Sequence, residues 1–196
     1  WIDFDKSYWS HFASGVLANG YRCIIPSYDL CPSVKISDIT GQIKDLICYV
    51  LENYDGKISL TGHSAGGHLV SRMVSADQWK RSNLRSDLLN RLNHVVAISP
   101  ITDLRPLLKT SMNNKFKLND NTAERESPVF HKKMNVPFSV FVGENERPAF
   151  LSQAKYLSEA WSCSKIIAKG KHHFSVLDDL ENERSGLVNL LTKSHR

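Results

Sequence analysis

Residues 57 to 73, KISLTGHSAGGHLVSRM, carry a β-rich run straight into a helix-like run through a turn centred on Ser64. A chain makes that passage where a strand ends beneath a helix that packs back onto the sheet, so the stretch argues for an α/β fold. It also sets Ser64 between Gly62 and Gly66 in the pattern G-x-S-x-G, whose small neighbours permit a strained turn that pushes the serine hydroxyl outward.

The rest of the chain repeats the alternation. DFDKSYWSHFASGVLANG offers a cap at Asp3 or Asp5, an apolar face at Phe12, Val16 and Leu17 and a stop at Asn19-Gly20, which predicts a helix. YRCII then reads as a buried strand. Ile36, Ile39, Ile43, Leu46, Ile47, Val50, Leu51 and Tyr54 recur at steps of three and four, one helical face. Further strands are predicted at KISLT, HVVAIS, PFSVFVG and SKIIA, with a weak helical stretch at 86–92. Helices are predicted over PAFLSQAKYLSEAW, with Phe150, Ala154, Leu157 and Trp161 on one side, and over Asp178 to Leu191. Residues 100–136, irregular and holding three prolines, suit a loop that walls a pocket. The expected architecture is one domain over 1–196, a mostly parallel sheet with helices on both faces. Ligands in such sheets bind beyond the strand C-termini.

Composition narrows the function classes. The 196 residues are 41% hydrophobic and 23% charged, a globular balance with material for a core. The net charge of +5 is scattered, and its densest run (Lys80, Arg81, Arg85, Arg91) is interrupted by Asp77 and Asp87, which reads as a solvated face and not a nucleic-acid site. Cys23, Cys31, Cys48 and Cys163 form no C-x-x-C pair, so neither a metal site nor a disulfide framework is expected, and reduced thiols suit a cytoplasmic protein. No apolar run has the length of a membrane span, and the first residues are unlike a signal peptide.

A serine hydroxyl is a weak nucleophile until a base takes its proton, so a histidine oriented by a carboxylate should lie at later strand ends. KGKHHFSVLDDL after the last strand holds His172 and His173, and GENERP after the preceding one holds Glu144 and Glu146. Asp103, beyond HVVAIS, is a third carboxylate within the pattern. The order serine, acid, histidine is that of the α/β-hydrolases. The helix N-terminus after Ser64 adds partial positive charge, and the Ala65 N–H is placed to donate to a developing oxyanion. His68 reads as a packing residue one turn into the helix, His63 as a pocket-lining one, and His11, His94, His131 and His195 have no partner pattern.

With these residues placed, the chain resembles the kynurenine formamidase (arylformamidase) group of α/β-hydrolases along nearly its whole length. GHSAGGHLVSRM is similar to that family's elbow, and SPITDLRPLLKTSMN followed by LNDNTAERESP to the segment after its next strand, the more specific match. VGENERPAF resembles the acid loop, with the carboxylate two residues before proline, here Glu146; the family usually has aspartate there. HHFSVLDDL resembles the histidine loop, where the histidine before phenylalanine selects His173 over His172. WIDFDKSYWSHFA is similar to the sequence that begins at the last residue of the family's His-Gly-Gly-Tyr-Trp motif, so the oxyanion glycines and opening strands are expected to lie outside this chain, which is then an incomplete domain that folds poorly alone.

The resemblance implies cleavage of N-formyl-L-kynurenine to formate and kynurenine, with Ser64 as nucleophile, His173 as base and Glu146 as its orienting acid. No metal or organic cofactor is expected, and the partner is a small molecule, neither nucleic acid nor membrane; a homodimer is the assembly allowed for. Trp1, Tyr28 and Phe174 are candidates for the wall against the substrate ring. The same residues suit a broad carboxylesterase, and a non-catalytic interaction protein on this scaffold is the alternative of another class.

Overall fold

A computed structural model describes residues 1–80 and 84–193. Arg81 of the basic run and His195 lie outside the described residues. Four parallel strands, β1 (Ile58–His63), β2 (Leu92–Ile98), β3 (Phe138–Gly143) and β4 (Ser164–Ala168), form a sheet in sequence order. Leu60 lies opposite Val95, Val140 opposite Ala97 and Ile166 opposite Phe141.

The two-residue period of a strand sorts these side chains onto two faces. Val95, Ala97, Phe138, Val140 and Val142 pack beneath α3 (Ala65–Met73) and α6 (Pro148–Ala160). Val96, Ile98, Phe141, Ile166 and Ala168 meet Leu187 and Leu191 of α7 (Gly186–Thr192), together with the 3₁₀ turn Ser175–Leu180 and the N-terminal segment. That segment is a 3₁₀ helix, Lys6–Ala13, running into α1 (Ser14–Ala18), with the Asp5 side chain capping Ser7 N. Leu17, expected on its apolar face, is exposed, whereas Phe12 and Val16 pack. The predicted long helix is α2 (Ile36–Asn53), with Ile36, Ile39, Ile43, Ile47 and Leu51 buried against α3. Arg91 donates to the Leu51, Tyr54 and Gly56 carbonyls at its C-terminal end.

Two predicted elements fail. YRCII forms no strand: Tyr21 and Ile24 are exposed, and no described strand lies beside the segment to accept its backbone hydrogen bonds. The last helix is broken, because Asn182 Oδ1 accepts from Arg184 N and Ser185 Oγ from Val188 N, side chains that compete with helical bonding and restart the chain as α7.

The segment beyond β2 contains α4 (Asn113–Phe116) and α5 (Asp120–Arg125) and is tied down by buried charge. Arg72, 1% exposed, pairs with Asp77 through two hydrogen bonds of 2.8 and 3.2 Å, and its Nε stands 3.7 Å from Glu126. Glu126 also accepts from Thr40 Oγ1 on α2, and His131 approaches Asp77 at 3.3 Å while donating to the Arg125 carbonyl. Asp77 therefore belongs to a buried network and not to a solvated face, and His131 has partners that its sequence neighbours do not reveal. His94 is likewise engaged, with Ser139 Oγ at 2.9 Å. The four cysteines are free thiols, and no described helix is long and apolar enough to cross a membrane.

Candidate active site

The turn at Ser64 is made by backbone approach. Ser64 has φ 54° and ψ −109°, a region that costs a non-glycine residue roughly 1–3 kcal/mol and persists only where its surroundings impose it. They do so here: Ser64 N donates to Ile98 O at 2.9 Å, continuing the β1–β2 ladder past the strand end. A Cβ on Gly62 would stand 2.2 Å from the Gly66 carbonyl oxygen, so position 62 admits only glycine without movement. Gly66 itself faces open space; the second close contact is at Gly67, 2.9 Å from the Pro100 backbone, which seats α3 on the end of β2. The expected role of Gly66 as a tight neighbour thus passes to Gly67. The Ala65 N–H lies in the first turn of α3, where backbone donors have no intrahelical acceptor.

The loops after β3 and β4 bring Glu146 and His173 together. Asn145 N donates to Lys171 O, Glu144 N to Ala168 O and Gly170 N to Glu144 Oε2. A Cβ on Gly143 would stand 2.4 Å from Lys171 O, so the histidine loop rests directly on the acid loop. His173 Nδ1 donates to Glu146 Oε2 at 2.8 Å, and Ser99 Oγ donates to the other carboxylate oxygen. Burial pushes the Glu146 carboxyl up, but the His173 and Ser99 hydrogen bonds and the field of His173 outweigh it and hold the group below its ordinary value. Of the other carboxylates, Glu144 is spent on Gly170 and Asp103 is in a bidentate pair with Arg105, so neither reaches His173. His172 Nδ1 accepts from Phe174 N and Ser175 N and shapes the loop.

Three rings surround the His173 imidazole: Phe150 stacks on it at 4.0 Å, His63 lies at 4.4 Å and Phe174 edge-on at 5.3 Å. Burial and the neighbouring His173 push the His63 pKa down to about 4, so it is a neutral member of the site. Ser64 adjoins His63, but among the described residues no hydrogen bond joins its hydroxyl to His173. Such loose geometry is common before substrate binds. Phe174, 56% exposed, is the wall candidate beside this cluster. Trp1, another aromatic candidate, is 6% exposed and edge-on to His68 and Phe116 in the core, where burying an indole gains most. Tyr28 packs, half-buried, against the same core. His68, fully buried with a pKa near 3 through burial, donates to the Glu126 carbonyl at 2.7 Å.

Ser99 and Phe150 were not singled out from sequence as site residues, though Ser99 sits directly after a strand, where chemistry is expected. Its φ of 44° is the backbone signal that marks it.

The family model described as BD-FAE matches residues 2–161. The chain belongs to the BD-FAE family of α/β-hydrolases. The resemblance to kynurenine formamidases holds along the chain of this BD-FAE member. The enzyme of that name from Danio rerio is 27% identical over 98% of this chain and 71% of its own length, and that of Drosophila melanogaster 20% identical over 97% and 68%. A crystal structure of a candidate thioesterase from Silicibacter sp. TM1040 is 47% identical, with a TM-score of 0.92 over 98% of this chain and 72% of that one. Esterase Est2 of Thermogutta terrifontis, 20% identical over 72% of this chain and 56% of its own, has a TM-score of 0.56 and shares the fold alone.

Proposed function

We infer that this hydrolase cleaves N-formyl aryl amides, with N-formyl-L-kynurenine as substrate and formate and kynurenine as products. The observation that carries the chemistry is the His173–Glu146 hydrogen bond beside a strained Ser64 at a strand-to-helix turn. Ser64 Oγ attacks the formyl carbon while His173 Nε2 takes its proton, and Glu146 steadies the imidazolium. The carbonyl oxygen becomes an oxyanion facing the Ala65 N–H. Collapse breaks the C–N bond as His173 returns the proton to the leaving aniline nitrogen. Water, deprotonated by His173, then attacks the formyl ester and releases formate and Ser64. No step calls on a metal or an organic cofactor.

Similarity to kynurenine formamidases over nearly the whole chain supports the formamide. A second reading, an esterase or thioesterase using the same three residues, is favoured by the 47% identity to the candidate thioesterase. Steady-state rates on N-formylkynurenine, a short-chain aryl ester and an acyl thioester separate them. Formamide cleavage lost in Ser64→Ala is the expected result; turnover of esters or thioesters with N-formylkynurenine untouched would remove the formamidase assignment.

A further inference from the structure

Two neighbouring strand ends each send one side chain to the His173–Glu146 pair. β1 and β2 are in register at His63 and Ile98, so Ser64 and Ser99, which follow them, leave the sheet side by side. From β2, Ser99 Oγ donates to the Glu146 carboxylate. From β1 comes His63, whose ring centroid lies 4.4 Å from that of His173 at an interplanar angle of 45°. Strand alternation gives His63 this direction. Leu60 packs with the core beneath α3 and α6, so His63, three residues on, faces the opposite side of the sheet, where the turn Ser175–Leu180 continues the loop of His173 and Phe174.

The contact is more than packing. The backbone carbonyl of His173 lies within hydrogen-bonding reach of the His63 ring and favours a protonated nitrogen there. Among the described residues His63 Nε2 is buried with no hydrogen-bond partner, so the nitrogen that meets the carbonyl is Nδ1. A neutral imidazole has one N–H to give, and giving it from Nδ1 leaves Nε2 as an empty buried acceptor, an arrangement that costs stability and calls for a reason. The position of His63 supplies one. It directly precedes Ser64, so the strand end that fixes the serine also grips the main chain of His173. Burial keeps this ring neutral, and no second cation stands beside the imidazolium that forms on His173 in turnover.

We propose that His63 is a positioning residue: its Nδ1–H holds the His173 main chain and sets the distance from the imidazole to Ser64, while Glu146 and Ser99 set the orientation of the ring. The proposal rests on Ser64 and His173 acting as nucleophile and base, and not on which substrate they cleave. Misplacing a reacting group by about 1 Å costs roughly 100-fold in rate, so the effect belongs in kcat and not in KM.

Asparagine and glutamine divide the two ring nitrogens, since the Asn amide nitrogen falls near the place of Nδ1 and the Gln amide nitrogen near that of Nε2. On the best of the three substrates above, His63→Asn should keep kcat within about 3-fold of wild type and His63→Gln should lose about 10- to 100-fold, each with KM changed less than about 2-fold. Proton NMR supplies a readout that a merely structural role would not move and that needs no turnover. The low-field signal of the His173 Nδ1 proton shared with Glu146, identified by its absence from His173→Ala, should persist in His63→Asn and broaden or vanish in His63→Gln. If circular dichroism finds His63→Gln unfolded, His63→Phe, which keeps the ring and lacks both nitrogens, takes its place with the same expected loss. Equal kcat in the Asn and Gln variants, a change confined to KM, or a low-field signal unchanged in His63→Gln would overturn the positioning role and leave the triad standing. Activity retained in His173→Ala would overturn the triad and this role together.

Discussion

Glu146 is clasped from two sides, His173 Nδ1 donating to one carboxylate oxygen at 2.8 Å and Ser99 Oγ to the other. An orienting carboxylate fixes the tautomer of its histidine and stabilises the imidazolium that forms in the reaction. Glu146→Gln keeps the shape and removes the charge, so kcat should fall about 100- to 10,000-fold while the fold is retained with a lower unfolding midpoint at neutral pH, because the stabilising charge is gone. Ser99→Ala should cost about 10-fold, the worth of one hydrogen bond to a charged group. Steady-state kinetics alongside circular dichroism checks both, and losses below about 3-fold for Glu146→Gln would assign the orienting role elsewhere.

Acid should destabilise the fold from a defined pH. The His63 pKa is pushed down to about 4 and that of His68 to about 3, both chiefly by burial, against 6.5 in an unfolded chain. Between 6.5 and those values the unfolded state binds protons that the folded state refuses, so stability falls as pH drops through that window. Glu146 acts in the same direction: its depressed pKa stabilises the fold above the ordinary carboxyl value, and that contribution is lost as pH falls through the folded one. Urea midpoints measured between pH 7.5 and 4 should decline, and His63→Gln should flatten part of the slope. An unchanged slope in that variant would mean that His63 titrates normally.

The elbow glycines should behave oppositely. Gly62→Ala drives a methyl into the Gly66 backbone and should cost roughly 1–3 kcal/mol as well as most of the activity. Gly66→Ala meets no atom within 4 Å and sits in a helix, where alanine is favoured by about 1 kcal/mol, so the fold should hold or gain. Thermal melts of the two variants decide it.

How much of this was legible in the sequence follows from how local each signal is. α2, α6 and the strands β1 to β4 announce themselves through apolar periodicity, and the elbow through three residues within five positions. YRCII has the composition of a strand but no described strand to pair with, and pairing is not a local property. His173 and Glu146 stand out in the sequence because each follows a strand, whereas Ser99, Phe150 and the Arg72–Glu126 network depend on contacts between residues tens of positions apart. An aromatic near a motif reads alike whether it faces a ligand or the core, so the burial of Trp1 against His68 and Phe116 is not legible in the sequence.

Arg72 shows what such contacts contribute. Its side chain is 1% exposed between Asp77 and Glu126, and removing one partner of a buried pair leaves an uncompensated charge worth about 3–5 kcal/mol. Arg72→Met strands Glu126 and Asp77 together and should lower the urea midpoint accordingly. The double variant Arg72→Met, Glu126→Gln should recover part of the loss, and the absence of any recovery would show that the pair is not coupled.

Phe174 separates substrate contact from stability. It is 56% exposed, so Phe174→Ala should alter stability by no more than about 0.5 kcal/mol. Its ring nonetheless lies 6.2 Å from His63 and 5.3 Å from His173, beside the group proposed to protonate the leaving aryl amine. Stacking of aromatic pairs contributes about 0.5–1.5 kcal/mol, so KM for an aryl formamide should rise about 2- to 10-fold while kcat changes less. Phe150, which stacks on His173 itself, supplies the contrast: Phe150→Ala frees the imidazole and should lower kcat more than it raises KM. Measuring both constants for both variants tests the division, and a Phe174→Ala variant that loses kcat at constant KM would move that ring from the substrate wall to the support of the base.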